Sequence, residues 1–287
     1  LTVVTTASNS RPYVIDAAAH AWVVNDPQFP LDPAVATCPN NMPGIDESAE
    51  HLIARMNTFG IDETVISHVC YYGRDNSYTT QCVNSYPERF TGVGLLVGYR
   101  LHSPDDSENP ARLERLMRDD KLSGLRLSPI YDPNVVWMND TVSYPLWSKA
   151  EELGAVFNIF AAPHQVPQIG DMAARYPGVN IVVDHFAMID ITADDSEGFG
   201  SLLELSRYPN VYIRTSLHNP SRQELPYRDM WPYLERAYDT FGPKKLIYAS
   251  DYELLVMKDL VPFFTAEDKI SILGGNALSI YRDNLRT

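Results

Sequence analysis

Eight short apolar runs, each followed by a connecting stretch and most by one with helical periodicity, constrain this chain more than any other feature. They are YVIDA (13–17), TVISHV (64–69), FTGVGLLV (90–97), LSGLRLS (122–128), AVFNIFA (155–161), VNIVVDH (179–185), NVYIRTS (210–216) and KLIYAS (245–250). They are continuously apolar rather than alternating, the pattern of strands covered on both faces. Among the helical stretches, residues 46–60 begin with acids and stop at Gly60, with Leu52, Ile53, Met56 and Phe59 on one predicted face. Residues 109–120, 144–154, 166–178, 200–210, 229–242 and 277–285 repeat the plan. Eight such units in 287 residues predict an α/β fold, a single (β/α)8 barrel over 13–287, preceded by a loose arm at 1–12. A doubly wound sheet is the alternative, but no glycine-rich phosphate loop follows the first strand. The proline-rich insert at 23–44 does follow it, where such barrels carry functional loops.

Composition narrows the partners. Lys and Arg number 23 against 37 Asp and Glu, a net charge of −14, and no basic cluster stands out. Polyanion binding needs basic patches, so nucleic acid is not an expected partner. No apolar run approaches the roughly 18 residues of a membrane span, so none is expected in a membrane either. Cys38, Cys70 and Cys82 form no CxxC and are odd in number, which reads as three reduced thiols in a cytoplasmic protein. The acidic stretches 103–109 and 190–198 read as solvated faces. A small-molecule substrate remains the expected partner, and whether copies of the chain associate stays open.

In a (β/α)8 barrel, polar residues at the C-terminal ends of strands face the active site. Those positions hold Asp16 and His20, then His68, Arg126 and Ser128, Asp184 and His185, Arg214 and Ser216, and finally Ser250 and Asp251. His20, His185 and Asp251 together suit a divalent metal, whose usual ligands are neutral imidazole and carboxylate. Any one of these histidines taken alone is more often a satisfied or exposed one; their joint placement makes the case. Arg126 and Arg214 could each grip a substrate carboxylate bidentately. The competing reading is an internal ion pair, which weighs more for Arg214. Trp22, Tyr72 and Tyr131, with Phe29, Tyr71 and Trp137, fall in loops where aromatics either line a ring-shaped pocket or simply pack the barrel top. His164 and His218 are candidates for pocket lining, with a surface position the blander alternative.

IDAAAH followed by Trp22, VVDHFA, LIYASDY and ILGGNALSIYR, supported by DNSYTTQCVNSYPERFTGVGLL and LSGLRLSP, together resemble the amidohydrolase superfamily. The resemblance is to its lactonase-like and decarboxylase-like branch, which includes pyrone dicarboxylate lactonases, and it runs in order over roughly residues 13–283. It implies a His-x-His motif at the end of the first strand, and the first of those histidines falls on Ala18. One imidazole is therefore absent, which implies impaired turnover; whether selection or deliberate substitution removed it stays open. The resemblance further implies Zn2+ or another divalent metal on His20, His185 and Asp251, or catalysis without metal. In either case Asp251 is the base that activates water against a lactone or similar cyclic ester. Two alternatives stand beside this: non-oxidative decarboxylation of an aromatic or unsaturated acid, and a catalytically silent ligand-binding barrel. Glu253 in place of a frequent proline and Phe160 in place of a frequent histidine put the substrate's identity in doubt, and Arg214 in place of the usual lysine favours a structural cation there.

Overall fold

The computed structural model describes residues 11–32, 43–97, 104–193 and 198–282, the side chain of Asp251 excepted. Most of the expected arm at 1–12, half of the 23–44 insert, Cys38 and parts of the two acidic stretches lie outside the described residues.

The eight apolar runs form eight strands: β1 (Ile15–Ala19), β2 (Glu63–Ser67), β3 (Phe90–Val93), β4 (Gly124–Leu127), β5 (Val156–Ile159), β6 (Asn180–Val183), β7 (Val211–Arg214) and β8 (Leu246–Ile247). All ladders are parallel, β1 to β3 in one sheet and β4 to β8 in another. Backbone bonds join the two sheets at both seams. Between β3 and β4, Gly94 N donates to Gly124 O (2.9 Å) and Arg126 N to Gly94 O (2.7 Å). Between β8 and β1, Ala17 N donates to Tyr248 O (3.2 Å). The fold is thus the expected (β/α)8 barrel. Gly124 permits the tight β4–β5 approach: its φ is 155°, and a Cβ there would lie 1.9 Å from Val156 O.

Helices α1 (Ala49–Phe59), α2 (Ser77–Ser85), α3 (Asn109–Arg118), α4 (Tyr144–Leu153), α5 (Val166–Arg175), α6 (Phe199–Glu204), α7 (Trp231–Phe241) and α8 (Ala266–Ile270) surround the strands. In α1 the Ser48 hydroxyl accepts from His51 N, and Gly60, at φ 76°, ends the helix in the left-handed conformation. Leu52 and Met56 are buried, but Phe59 is 45% exposed and does not join the predicted face. The described part of the segment 277–285 is helical, with the wider π-type winding over Leu278–Arg282. Among the described residues no helix is long and apolar enough to cross a membrane.

The barrel interior is layered. Ile15, Val65, Val93, Val156, Val182 and Ile247 form an apolar layer with the buried ring of Tyr281. Two residues beyond Val65, Val156 and Val182 come Ser67, Asn158 and Asp184, and two beyond Gly124 and Tyr212 come Arg126 and Arg214. Period-two alternation brings these polar groups up beneath the mouth.

One expectation fails outright: Cys70 is disulfide-bonded, so the three thiols are not all reduced. Disulfides persist in oxidising surroundings, and a bridge made by loops meeting in space leaves no spacing signature to read. Cys82 is a buried free thiol, pushed up to about 12 by burial.

Candidate active site

A cavity of about 310 Å³ opens above the polar layer, bounded by Ala18, His20, Arg126, Phe160, His185 and His218. A smaller one of about 160 Å³ adjoins it, sharing His20, Arg126 and Tyr131 and adding Trp22 and Ser128. A wider groove of about 720 Å³ lies between α2 and α3, away from the strand ends. There Arg74 and Arg112 already pair with Asp106, which leaves that groove chemically quiet.

The β1 register slips between Asp16 and Ala19, and Asp16 Oδ1 accepts from Ala18 N (3.0 Å) within the irregularity. Ala18 and His20 both reach the cavity, as one strand face should. His20 Nδ1 lies 2.7 Å from Ser67 O and donates to it, which leaves Nε2 with a free lone pair. Burial, with Arg126 nearby, pulls the His20 ring down to about 3, so it is neutral at ordinary pH.

His185 follows β6 in a turn where His185, Phe186, Ala187 and Met188 all have φ of 51–52°. Four left-handed non-glycine residues cost about 1–2 kcal/mol each. The burial of Phe186 and Ala187 opposes that cost and holds the imidazole toward the mouth. Phe160 meets its ring edge-on at 5.4 Å. Burial first, then Arg214 and Arg126, keep His185 well below the usual histidine range.

Beneath them runs a buried network. Arg214 Nη1 donates to Asp184 Oδ1 (2.5 Å) and Nη2 to the Tyr281 hydroxyl (3.2 Å). That hydroxyl donates to Asn158 Oδ1 (2.5 Å), and Asn158 Nδ2 reaches Ser67 Oγ at 3.5 Å. Burial pushes Tyr281 up to about 12, so it stays a donor. Arg214 therefore forms the internal ion pair rather than the substrate grip also weighed for it. Both terminal nitrogens are engaged, and the side chains of Arg214 and Asp184 are each 1% exposed.

Arg126 differs. It is half-buried, and no carboxylate among the described residues pairs with it; its Nε, like that of Arg214, has no hydrogen-bond partner. Its guanidinium lies 5.4 Å from the Phe160 ring centroid.

On the β7–β8 side lies an arrangement that sequence reasoning did not assemble. His218 Nδ1 is 2.5 Å from Glu253 Oε1. The buried Glu253 also accepts from His218 N (2.9 Å) and Leu217 N (2.8 Å). Asn219 Nδ2 sits 2.8 Å from His218 Nε2 and 3.1 Å from His185 Nδ1, one amide proton for each. The signal for Glu253 was its departure from proline; nothing marked Asn219.

Other expected residues fall elsewhere. Tyr72 does not line the cavity: its hydroxyl accepts from Val23 N and donates to Val23 O, and burial raises it to about 12. Trp22 donates from Nε1 to Ile45 O at the edge of the smaller cavity. His68 is a satisfied core histidine, between Thr79 Oγ1 and Gly73 O. His164 is near the surface, 3.4 Å from Pro133 O. Asp251 begins the turn Asp251–Glu253 after β8; its side chain lies outside the described part of the molecule.

The chain belongs to the amidohydrolase family, whose model matches residues 15–282. It is 27% identical over 291 residues to the L-fucono-1,5-lactonase of Burkholderia ambifaria, covering 93% of this chain and 95% of that one. Among solved structures, a probable 2-pyrone-4,6-dicarboxylic acid hydrolase of Acinetobacter baumannii with citric acid bound superposes with a TM-score of 0.77 at 16% identity, over 93% of this chain and 98% of that one. An amidohydrolase of Burkholderia multivorans with zinc bound gives 0.69 at 18%, over 94% and 99%. The two structures share the fold.

The described donors do not fit a divalent cation. Position 18 offers none, His185 Nδ1 faces an amide donor, and Asp184 is committed to Arg214. The uncommitted charge is the cation of Arg126. Among the described residues no three His, Cys, Asp or Glu side chains form a metal-holding group. The set fits an anion.

Proposed function

We propose that the protein opens a lactone or similar cyclic ester carrying an acidic group, by attack of water on the ring carbonyl. The observation that carries this reading is Arg126, a cation with no carboxylate partner among the described residues, in a cavity walled by two neutral imidazoles. A partly desolvated guanidinium is costly until an anion meets it, and its fork matches a carboxylate. The likeness to a lactonase supports the cyclic ester. His185, whose Nδ1 accepts from Asn219, presents Nε2–H to the carbonyl oxygen without adding charge. His20 Nε2 accepts from the attacking water and orients it. Asp251, at the head of the turn after β8, takes the water's proton.

The test is steady-state hydrolysis of lactones with and without a carboxylate, followed by acid release and by CO2 analysis. Acid release without CO2 is expected. Arg126→Met should raise KM for the carboxylated substrates about 10–100-fold, the worth of a charge-assisted bond, with a smaller change in kcat. CO2 release would instead indicate a decarboxylase, and tight binding without turnover a silent barrel.

A further inference from the structure

We propose that His218, oriented by Glu253, is a catalytic residue that carries a proton to the departing ring oxygen; this rests on the lactone reading above. Three features converge. His218 lines the cavity at the end of β7, with its side chain 27% exposed. Its Nδ1 is anchored on a carboxylate that is wholly buried and held by two backbone N–H groups. Its Nε2 accepts from the Asn219 amide, so the resting ring carries its proton on Nδ1 and its basic nitrogen is Nε2. A histidine serving only to fill space has no need of a buried carboxylate behind it. A histidine that becomes transiently cationic does.

The step balances as follows. Asp251 takes one proton from water as its oxygen bonds to the carbonyl carbon. The tetrahedral intermediate then carries one O−, one O–H and the ring oxygen. His218 Nε2 removes the O–H proton, and the imidazolium is stabilised by Glu253. As the carbon–ring-oxygen bond breaks, its electron pair leaves with the ring oxygen, which takes the proton from His218. The products are a carboxylate and an alcohol, and Asp251 returns its proton to solvent. Asn219 holds the ring in register between turnovers, and Glu253 is a positioning residue acting through His218.

The leaving group separates this role from a structural one. An alkoxide departs poorly without a proton, whereas a phenolate departs readily. Wild type, His218→Asn and Glu253→Gln are therefore compared on D-glucono-1,5-lactone and on 3,4-dihydrocoumarin. Asparagine keeps an N–H toward Glu253, so His218→Asn removes the proton carrier without stranding the buried carboxylate. It should lower kcat on the gluconolactone by ~10²–10³-fold and on dihydrocoumarin by at least ~10-fold less. Glu253→Gln should lower kcat on the gluconolactone with KM unchanged; if it does not fold, His218→Asn alone decides. Equal losses on both substrates, or no loss on either, overturn the proposal. Absence of wild-type turnover on these two and on the carboxylated lactones removes the lactone reading itself, and this inference with it; where only carboxylated lactones turn over, the same alkoxide-against-phenolate comparison is made on them.

Discussion

The two sides of the cavity differ in how their polar groups are matched. On the β6–β8 side the described charged groups have partners from within the chain, though Arg214 Nε and Ser216 Oγ are left without one. Arg214 has Asp184 and Tyr281, His218 has Glu253, and one Asn219 amide serves two imidazoles. On the β1–β4 side, among the described residues, no carboxylate answers Arg126 and nothing bonds His20 Nε2, and Ala18 contributes no polar group. Matched groups hold one geometry before anything binds, and unmatched groups are completed by what binds. The closed side carries the machinery and the open side the recognition.

The largest effect that can break this contrast is on folding. Asp184→Ala strands the Arg214 cation in the interior, and stability should fall by about 3–5 kcal/mol, read from urea midpoints. Arg126→Met, on the open side, should move the midpoint by no more than about 0.5 kcal/mol. Similar losses from both would erase the distinction.

Next comes the gap at position 18. Ala18 already faces the cavity, so Ala18→His adds an imidazole without refolding the strand. One added donor for the developing oxyanion is worth ~10²–10³ in rate. Asp251→Asn in that background should abolish the gain. Equal rates for this chain and the substituted protein would show that position 18 carries no catalytic group.

The smallest effect sharpens the contrast through pH. His20 is held down to about 3 in the folded chain, while an unfolded histidine titrates near about 6.5. The unfolded state thus binds a proton that the folded state refuses. Stability should fall as pH drops below about 6.5, by about 2 kcal/mol from His20 alone at pH 5, and level off below about 3. His185 acts in the same direction. Urea midpoints at descending pH should show a shallower slope for His20→Gln; an unchanged slope would mean that the folded protein accepts the proton after all.

The strands were legible because both of their faces are buried, so apolar continuity marks them. Helix α2 was not: Thr79, Thr80, Asn84 and Ser85 blur its periodicity, and packing against β3 decides it. His20 and His185 announced themselves by their place at strand ends. The pairing of His218 with Glu253 did not, because the two lie 35 residues apart and meet only through adjacent strands. Tyr72 misled for a related reason, since a loop aromatic and a core aromatic look alike until the hydroxyl finds Val23. The Cys70 bridge left no trace in spacing.

Tyr281 gives the molecule a clock. Its hydroxyl ties Arg214 to Asn158, and its carbonyl accepts from Ser123 Oγ at the foot of β4. During synthesis β1 leaves the ribosome first, yet the floor it belongs to lacks this residue until the chain has grown to position 281. At roughly 5–20 residues per second, that interval is on the order of 10–50 s. Asn158, and later Arg214, once made, wait through the last part of that interval without their shared partner. The polar floor therefore locks late, and until then the nascent barrel offers unfinished hydrogen bonds to whatever meets it.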